Sequence, residues 1–124
     1  MEFNNQQPIY LQIAELICDK ILLKVFREDE RIPSVREMAV QLEVNPNTVM
    51  RTYEYLQGKE IITNKRGVGY YVATDGILKA TDLRKTEFLS VELPRIFNTA
   101  QLLNISIEEL QKQYNTFIQK KLDA

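Results

Sequence analysis

The sequence contains no histidine and a single cysteine, Cys18, in 124 residues. These absences exclude an internal disulfide and, within one chain, zinc sites of the usual Cys/His kind. They also exclude catalysis by a histidine-dependent triad or by the commonest general base. The few glycines do not form a phosphate-binding loop of the P-loop or dinucleotide type. We therefore expect a protein that is not an enzyme and that holds no metal or cofactor.

The sequence also lacks an apolar run of membrane-spanning length and a secretory signal pattern at its start. We therefore expect a cytoplasmic protein with no membrane partner. The formal net charge of −1 counts mildly against a nucleic-acid partner. Residues 44–72, however, carry four basic residues against two acidic ones, so positive charge is locally in excess.

Two helical patterns open the chain. The first begins near Pro8, a residue that suits the entry of a helix. Its apolar residues recur at three- and four-residue spacing: Tyr10, Ile13, Ile17 and Ile21. The second runs over about residues 35–42, and Ser34 with Glu37 forms a capping box at its start. These patterns predict two amphipathic helices.

A third helical pattern follows after a turn at residues 43–45. Asn45 suits the N-cap of this helix, and Pro46 suits its first position, where no backbone N–H is needed. Its apolar face is formed by Val49, Tyr53 and Leu56. Because a helix advances about 100° per residue, a polar set projects from the opposite face. That set is Asn47, Arg51 and Glu54, flanked by Thr48, Met50 and Tyr55.

After Gly58 the pattern changes from helical to extended. The segments EIIT and GYYVAT are rich in β-branched and aromatic residues, and the loop NKRGVG between them is basic. This pattern predicts a β-hairpin with Lys65 and Arg66 at its tip. The order of three helices and a hairpin is that of a winged helix-turn-helix, which we place at residues 1–74. The expected fold class is therefore mainly α with a small β-hairpin.

Residues 75–124 continue with helical segments, the first of which Pro94 is expected to break or kink near residues 91–93. Ser106 with Glu109 forms a second capping box. The region is too small for a ligand-binding domain, so an inducer would have to be small, lie at a subunit interface or act indirectly. Its apolar side chains need a partner surface, and a second copy of the chain is the natural one. We assign homodimerisation to these residues: Phe88, Leu89, Ile96, Phe97, Leu103, Leu110, Tyr114 and Phe117.

Packing and capping leave a few polar and basic residues without an explanation. Asn47, Thr48 and Arg51 lie on the exposed side of the third helix at its start, where backbone N–H groups also favour phosphate. Their side chains can bond base edges or phosphate oxygens in a major groove. Arg36 opposes the dipole of the second helix, which indicates an anion outside the protein. A solvated surface charge explains any one of these cations, but together with the hairpin tip they converge on one face.

Two functions remain open at this point. One is a sequence-specific DNA-binding regulator, which the convergent basic face favours. The other is a winged-helix protein-protein interaction module without sequence-specific DNA binding. The near-neutral net charge and the apolar tail favour the second function.

Three stretches resemble, in order and spacing, the DNA-binding domain of GntR-family bacterial transcription regulators: PIYLQI, RIPSVREMAVQLEVNPNTVMRTYEYL and IITNKRGVGYYV. The resemblance covers about residues 8–72, and the short helical tail resembles the YtrA-like subfamily. It implies a homodimeric repressor that binds a palindromic double-stranded DNA operator, often beside ABC-transporter genes. It also implies DNA contacts by these residues: Ser34, Arg36, Asn45, Asn47, Thr48, Arg51, Lys65, Arg66 and Gly67.

The chain departs from this family where glycine is usual, with larger residues in its place: Lys24, Asp29, Glu43 and Glu60. Glu43 occupies the turn between the second and third helices. If Glu43 keeps the positive φ of that turn, its backbone is strained by about 1 kcal/mol or more. Met50 stands where some relatives carry a base-contacting arginine, so the resemblance does not extend to the operator sequence.

Overall fold

The structure, a computed structural model, describes Phe3 and residues 7–124. Its elements, in chain order, are α1 Ile9–Leu22, α2 Val35–Leu42, α3 Pro46–Gly58, β1 Ile62–Lys65, β2 Gly69–Val72, α4 Gly76–Glu87, a π-helical turn Phe88–Glu92, α5 Leu93–Leu102 and α6 Ile107–Asp123. The chain divides into two compact units between Lys85 and Thr86. The expected class, mainly α with a small β-hairpin, is confirmed, and the first unit has the element order of a winged helix-turn-helix.

The core of the first unit is supplied by the apolar faces of its helices and by the hairpin. The following residues are buried: Ile13, Ile17, Cys18, Ile21, Met38, Val49, Tyr53, Leu56, Ile62 and Val72. Val35 and Leu42 of α2 are partly buried against this core. Full burial of one large apolar side chain contributes about 1.5–3 kcal/mol, so these residues fix how the three helices pack.

Local hydrogen bonds begin α2 and α3 where the sequence predicts. At α2, the Glu37 N–H donates to Ser34 Oγ at 3.1 Å and the Ser34 N–H donates to Glu37 Oε1 at 2.9 Å, so the capping box is complete. At α3, the Asn47 N–H donates to Asn45 Oδ1 at 2.8 Å, and Pro46 is the first helical residue. Caps of this kind stabilise a helix by about 1 kcal/mol each.

The residues that replace family glycines keep a left-handed backbone. Their φ angles are 61° at Lys24, 65° at Asp29, 56° at Glu43 and 61° at Glu60. Side chains with a Cβ enter this region at a cost of about 1–2 kcal/mol each. The strain expected at Glu43 is therefore present, and the turn between α2 and α3 keeps its geometry without glycine.

The wing is a hairpin with one face on the core. Ile62 lies opposite Val72 in the antiparallel register, and both are buried. Because side chains alternate along a strand, the neighbouring positions face solvent. The hairpin therefore has a core face and a solvent face.

The connection between α1 and α2 adds a third segment to the wing. The Asp29 N–H donates to Val72 O and the Ile32 N–H donates to Tyr70 O, both at 3.0 Å. This pairing places Arg31 opposite Tyr71. This connection, which is largely polar in sequence, forms the outer edge of the wing next to β2.

The first part of α4 belongs to the first unit. Arg84 forms ion pairs with two carboxylates of α1, Glu15 at 3.1 Å and Asp19 at 3.0 Å. The compact unit therefore extends to Lys85. The assignment of residues 1–74 to DNA binding and 75–124 to dimerisation concerns function and stays a prediction.

In the second unit, the helix before Pro94 is widened rather than broken. Residues 88–92 form a π-helical turn, in which the Leu93 N–H donates to Phe88 O. Proline has no N–H and its ring crowds the carbonyl one turn earlier, so a wider turn accommodates it without a loop. The chain stays helical there, so the prediction of a break or kink near residues 91–93 is met by a local π-helical distortion rather than by a break.

The start of α6 forms half of its predicted capping box. The Glu109 N–H donates to Ser106 Oγ at 3.1 Å, whereas Glu109 Oε1 accepts from Gln113 Nε2 at 2.9 Å instead of from the Ser106 N–H. No side chain of α6 is buried. Among the helices of residues 7–124, none combines the length and the apolar character that a bilayer crossing requires.

Candidate nucleic-acid interface

The exposed side of α3 starts at its first turn. Asn47, Arg51 and Glu54 are exposed, whereas Val49 and Tyr53 are fully buried, as the helical spacing predicts. Asn47 and Arg51 lie one turn apart on the same face. The first N–H groups of a helix have no intrahelical acceptor and carry partial positive charge. The start of α3 therefore presents polar side chains beside a positive helix end.

Side chains at the starts of α2 and α3 keep donors for a ligand. Asn45 caps α3 through its amide oxygen, which leaves its NH₂ group to donate. Ser34 accepts through its hydroxyl oxygen, which leaves its O–H to donate. Arg36, the second residue of α2, is exposed and forms no ion pair with any residue that the structure describes. Both helix starts therefore offer hydrogen-bond donors and positive charge.

Arg51 lies over an aromatic ring of α1. Its guanidinium carbon is 4.0 Å from the centroid of the Tyr10 ring, a cation–π geometry. The Tyr10 ring in turn meets Tyr55 edge to face, with centroids 6.2 Å apart and an interplanar angle of 79°. The sequence predicts Tyr10 only as an apolar residue of the first helix. Its second role, as a platform for Arg51, depends on a contact between helices that periodicity does not reveal.

An open hollow of about 370 Å³ lies between the starts of α1 and α3. It is lined by Pro8, Ile9, Tyr10, Asn47, Thr48 and Arg51. Three of the predicted site residues, Asn47, Thr48 and Arg51, thus share one wall. Because the hollow is open to solvent, it suits the edge of a large ligand rather than an enclosed small molecule.

The tip of the wing carries the two predicted cations. Gly67 has a φ of 77°, which glycine adopts without a Cβ clash, and the Val68 N–H donates to Lys65 O at 2.8 Å. Lys65 and Arg66 are both exposed at this turn. The Lys65 ammonium lies 4.1 Å from the centroid of the Tyr71 ring. The turn therefore holds two positive charges close together in solvent.

Aromatic contacts join the wing to α3 and to the start of α2. The Tyr53 and Tyr70 rings meet edge to face, with centroids 4.9 Å apart. Tyr53 Oη donates to Pro33 O at 2.6 Å, and burial raises the pKa of this phenol above its ordinary value. Tyr70 Oη lies 4.0 Å from Met50 Sδ, so Met50, 40% exposed, lies on the side of α3 next to the wing. These contacts hold the wing and α3 at a fixed separation.

Arg31 is a basic residue of this region that the sequence does not indicate. Its position opposite Tyr71 follows from the pairing of the α1–α2 connection with β2. Pairing between segments so far apart in the chain leaves no signal in local periodicity. The only sequence feature that suggests a role for Arg31 is its positive charge close to the N-cap of α2.

The side chains assigned to dimerisation are well exposed in the single chain. Phe88, Leu89, Ile96, Phe97, Leu103, Tyr114 and Phe117 are 42–65% exposed, and Leu110 is partly buried. Soluble monomers seldom expose so many large apolar side chains on one small unit. The second unit therefore has the composition of a surface that another molecule covers.

Known proteins resemble this chain over most of its length. It is 34% identical to the uncharacterized HTH-type transcriptional regulator YhcF of Bacillus subtilis strain 168, over 94% of each chain. It is 29% identical to the HTH-type transcriptional repressor YtrA of the same organism, over 85% of this chain and 80% of that one. A solved structure of a GntR-family transcriptional regulator from Bacteroides thetaiotaomicron has 52% identity and a TM-score of 0.73, over 92% of this chain and 99% of that one.

The family assignment rests on the same region that forms the candidate interface. Residues 9–72, from the first helix to the end of the wing, match the family model of the bacterial regulatory proteins, gntR family. The relatives are regulators of transcription rather than enzymes. The chain therefore belongs to the GntR family of DNA-binding bacterial transcription regulators.

Proposed function

We propose that this regulator is a homodimeric repressor that binds a palindromic double-stranded DNA operator. The observation that carries the proposal is the placement of Asn47, Thr48 and Arg51 together on the exposed start of α3. The cationic wing tip lies on the same unit, joined to α3 by Tyr70. Similarity to the repressor YtrA of Bacillus subtilis supports the direction of regulation.

In the proposed complex, α3 enters the major groove with its first turns. An α-helix fits this groove, and the amide of Asn47 and the hydroxyl of Thr48 bond base edges or phosphates there. Arg51 stays over the Tyr10 ring, and its guanidinium matches the two acceptors of guanine. A good contact of this kind discriminates against a wrong base by about 1–3 kcal/mol.

Other residues of the site hold the DNA backbone. Ser34, Arg36 and Asn45 donate to phosphates from the starts of α2 and α3, where the helix dipoles favour an anion. Lys65 and Arg66 lie on the adjacent minor groove or its phosphates, and Gly67 allows the backbone to approach closely. These contacts orient the protein and make its affinity depend on salt.

A second copy of the chain covers the apolar residues of the second unit. A symmetric dimer presents two copies of α3, and half-sites of such dimers lie about 34–36 Å apart, one helical turn of DNA, or multiples of it. The operator is therefore palindromic. The exposed side chains between Phe88 and Phe117 support this pairing.

We also propose where this regulator acts and which genes it controls. The protein acts in the cytoplasm on neighbouring ABC-transporter genes, as its YtrA-like tail implies. Deletion of its gene is expected to raise expression of a reporter that is fused to the neighbouring promoter. An unchanged or lower reporter signal contradicts repression.

Titration of labelled promoter DNA at several salt concentrations tests DNA binding itself. We expect tighter binding to the promoter than to scrambled DNA of equal length. Affinity is expected to fall steeply with salt, because each neutralised phosphate contributes about −0.9 to the slope of log K against log salt. Equal binding to both DNAs, or binding that does not weaken as salt rises, contradicts the proposal.

Single substitutions test which face binds. Arg51→Ala and Lys65→Ala are each expected to weaken promoter binding, and only Arg51→Ala is expected to reduce the preference over scrambled DNA. Lys85→Ala is the control, because Lys85 is exposed and lies away from the start of α1. Its neighbour Arg84 forms an ion pair with Asp19, which is far along α1 from Tyr10. If both variants bind as the parent does, the interaction module is the better account of this face.

A further inference from the structure

The solvent face of the wing carries a row of residues beyond its tip. In the register of the hairpin, Lys65 lies opposite Gly69 and Thr63 lies opposite Tyr71. The third segment adds Arg31 opposite Tyr71 from the other edge. Directly opposite residues of antiparallel strands share a face, as do alternate residues of one strand. Arg31 and Lys65 therefore flank a patch that Tyr71 and Gly69 form between them.

The guanidinium of Arg31 occupies space that only glycine leaves open. A Cβ at Gly69 would lie 2.9 Å from Arg31 Nε and 3.4 Å from Arg31 Cζ. The contact of 2.9 Å is too short, so the flexible end of the Arg31 side chain would have to move. Gly69 also has a φ of 141°, a conformation that favours glycine. The side chain of Arg31 thus lies across β2 rather than extending into solvent at random.

Lys65 approaches the same patch from the opposite edge. Its ammonium is 4.1 Å from the centroid of the Tyr71 ring, which directs it over β2. Arg31 and Lys65 are both exposed, and neither forms an ion pair with the residues that the structure describes. Arg31 and Lys65 lie on the two segments that flank β2. Their like charges repel each other, and an anion between them removes the repulsion.

The carboxylate of Glu37 does not supply that anion. Its Oε1 accepts the Ser34 N–H at 2.9 Å as part of the capping box. The hydrogen bonds from Ser34 lower the pKa of Glu37 most, and the attraction of Arg31 is the smallest of the causes that lower it. Glu37 is thus committed to α2, and the positive charge of Arg31 remains directed at solvent.

We propose that Arg31 and Lys65 together bind one phosphate of the DNA backbone against the solvent face of the wing, with Gly69 making room for the guanidinium. This inference rests on the proposed function, because the phosphate belongs to the DNA that α3 binds. A guanidinium and an ammonium both form charge-assisted bonds with phosphate oxygens, and such contacts carry no base information. Arg31 therefore adds affinity and salt dependence to the complex, and it leaves the choice of sequence to α3.

The test is a titration of promoter and scrambled DNA against Arg31→Ala and Arg31→Lys, at several salt concentrations. Arg31→Ala is expected to weaken binding to both DNAs by the same factor, about tenfold, as one charge-assisted bond is lost. The salt slope is expected to fall by about 1. Arg31→Lys is expected to keep the parental slope, because the positive charge remains. Lys85→Ala serves as the control for removal of a cation elsewhere.

A second variant tests the space over Gly69. Gly69→Ala is expected to displace the guanidinium and to weaken DNA binding in the parent protein. In the Arg31→Ala background the same change is expected to add little, because no guanidinium remains to be displaced. An equal loss in both backgrounds would assign the effect to the strained backbone and overturn the role given to Gly69.

The outcomes separate this inference from the proposed function. If the parent prefers its promoter and Arg31→Ala keeps the parental affinity and slope, the inference is wrong while binding through α3 stands. A change in the preference for the promoter without a change in slope also overturns the phosphate assignment. If the parent itself shows no preference for its promoter, the proposed function fails and the inference fails with it.

Discussion

The guanidinium carbon of Arg51 lies 4.0 Å from the centroid of the Tyr10 ring, so α1 positions a residue of α3. The contact crosses the hollow between the two helix starts. A guanidinium that stacks on a ring has fewer orientations than one that moves freely in solvent. The first helix therefore contributes both to the core and to the orientation of the proposed DNA contact.

Removal of the Tyr10 ring is expected to weaken DNA binding without unfolding the protein. Tyr10→Leu keeps an apolar side chain and removes the cation–π contact, which contributes about 0.5–1 kcal/mol at an exposed site. The affinity for promoter DNA should fall about two- to fivefold. Fluorescence anisotropy with labelled DNA measures this change. In an Arg51→Ala background, Tyr10→Leu should change nothing further, and an equal loss there would contradict the coupling.

The Thr52 hydroxyl is expected to stabilise the packing of α1 on α3. Thr52 is fully buried, and its Oγ1 lies 2.8 Å from Tyr10 O and 3.1 Å from Thr48 O. Thr52→Val should lower the free energy of unfolding by about 1–2 kcal/mol, since a buried hydrogen bond is lost. Urea denaturation measures this change in the free energy of unfolding. Thr81→Val is the control, because Thr81 is exposed and bonds only Ile77 O within its own helix. Equal losses in the two variants would contradict an interhelical role.

Local chemistry explains why the sequence predicts the helix starts. The capping box of Ser34 with Glu37 and the cap of Asn45 involve residues two or three positions apart, so their spacing is visible in the sequence. The solvent-exposed face of α3 is predictable for the same reason, because helical periodicity places Asn47 and Arg51 opposite the buried residues.

The features that sequence reasoning missed depend on contacts between distant segments. The pairing of Arg31 with Tyr71 and the stacking of Arg51 on Tyr10 join segments far apart in the chain, and neither changes local periodicity. The predicted capping box at Glu109 is incomplete for a different reason. Its carboxylate had two local partners within reach and accepts from Gln113 rather than from the cap.

Glycine at position 43 is expected to stabilise the protein or to leave it unchanged. Glu43 has a φ of 56°, which strains its backbone by about 1–2 kcal/mol. Glycine removes this strain, but it also gives the unfolded chain more conformational freedom, which lowers stability by about 0.4–1 kcal/mol. Glu43→Gly should therefore raise the free energy of unfolding by up to about 1.5 kcal/mol. Glu54→Gly, at an exposed position inside α3, should lower it by about 1 kcal/mol. Similar losses in both variants would show that the turn at Glu43 carries no strain.

The capping box of α2 is expected to give stability that is lost in acid. Hydrogen bonds from Ser34 lower the pKa of Glu37 below its ordinary value of 4.5 in the folded protein. A group with a lowered folded pKa stabilises the protein above its ordinary value, and that contribution disappears as the pH falls through the folded pKa. Glu37→Gln keeps the acceptor but not the charge. The parent should have a higher urea midpoint than the variant at neutral pH. This difference should disappear as the pH falls below the ordinary glutamate pKa. A gap that persists in acid would contradict this linkage.

If the second unit forms the dimer interface, a charged residue introduced on its apolar surface is expected to dissociate the dimer. Phe97 is 47% exposed in the single chain. The proposed dimer would cover two copies of it. Phe97→Asp should raise the dimer dissociation constant about 100-fold or more, because two aromatic side chains lose a dry contact and two carboxylates replace them. Sedimentation equilibrium measures the constant. Asn98→Asp adds the same charge at the next exposed position of α5 and should leave the dimer intact. Binding to a single half-site should be unchanged in Phe97→Asp, and binding to the full palindrome should weaken. A Phe97→Asp protein that stays dimeric at parental concentrations would show that this surface is not the interface.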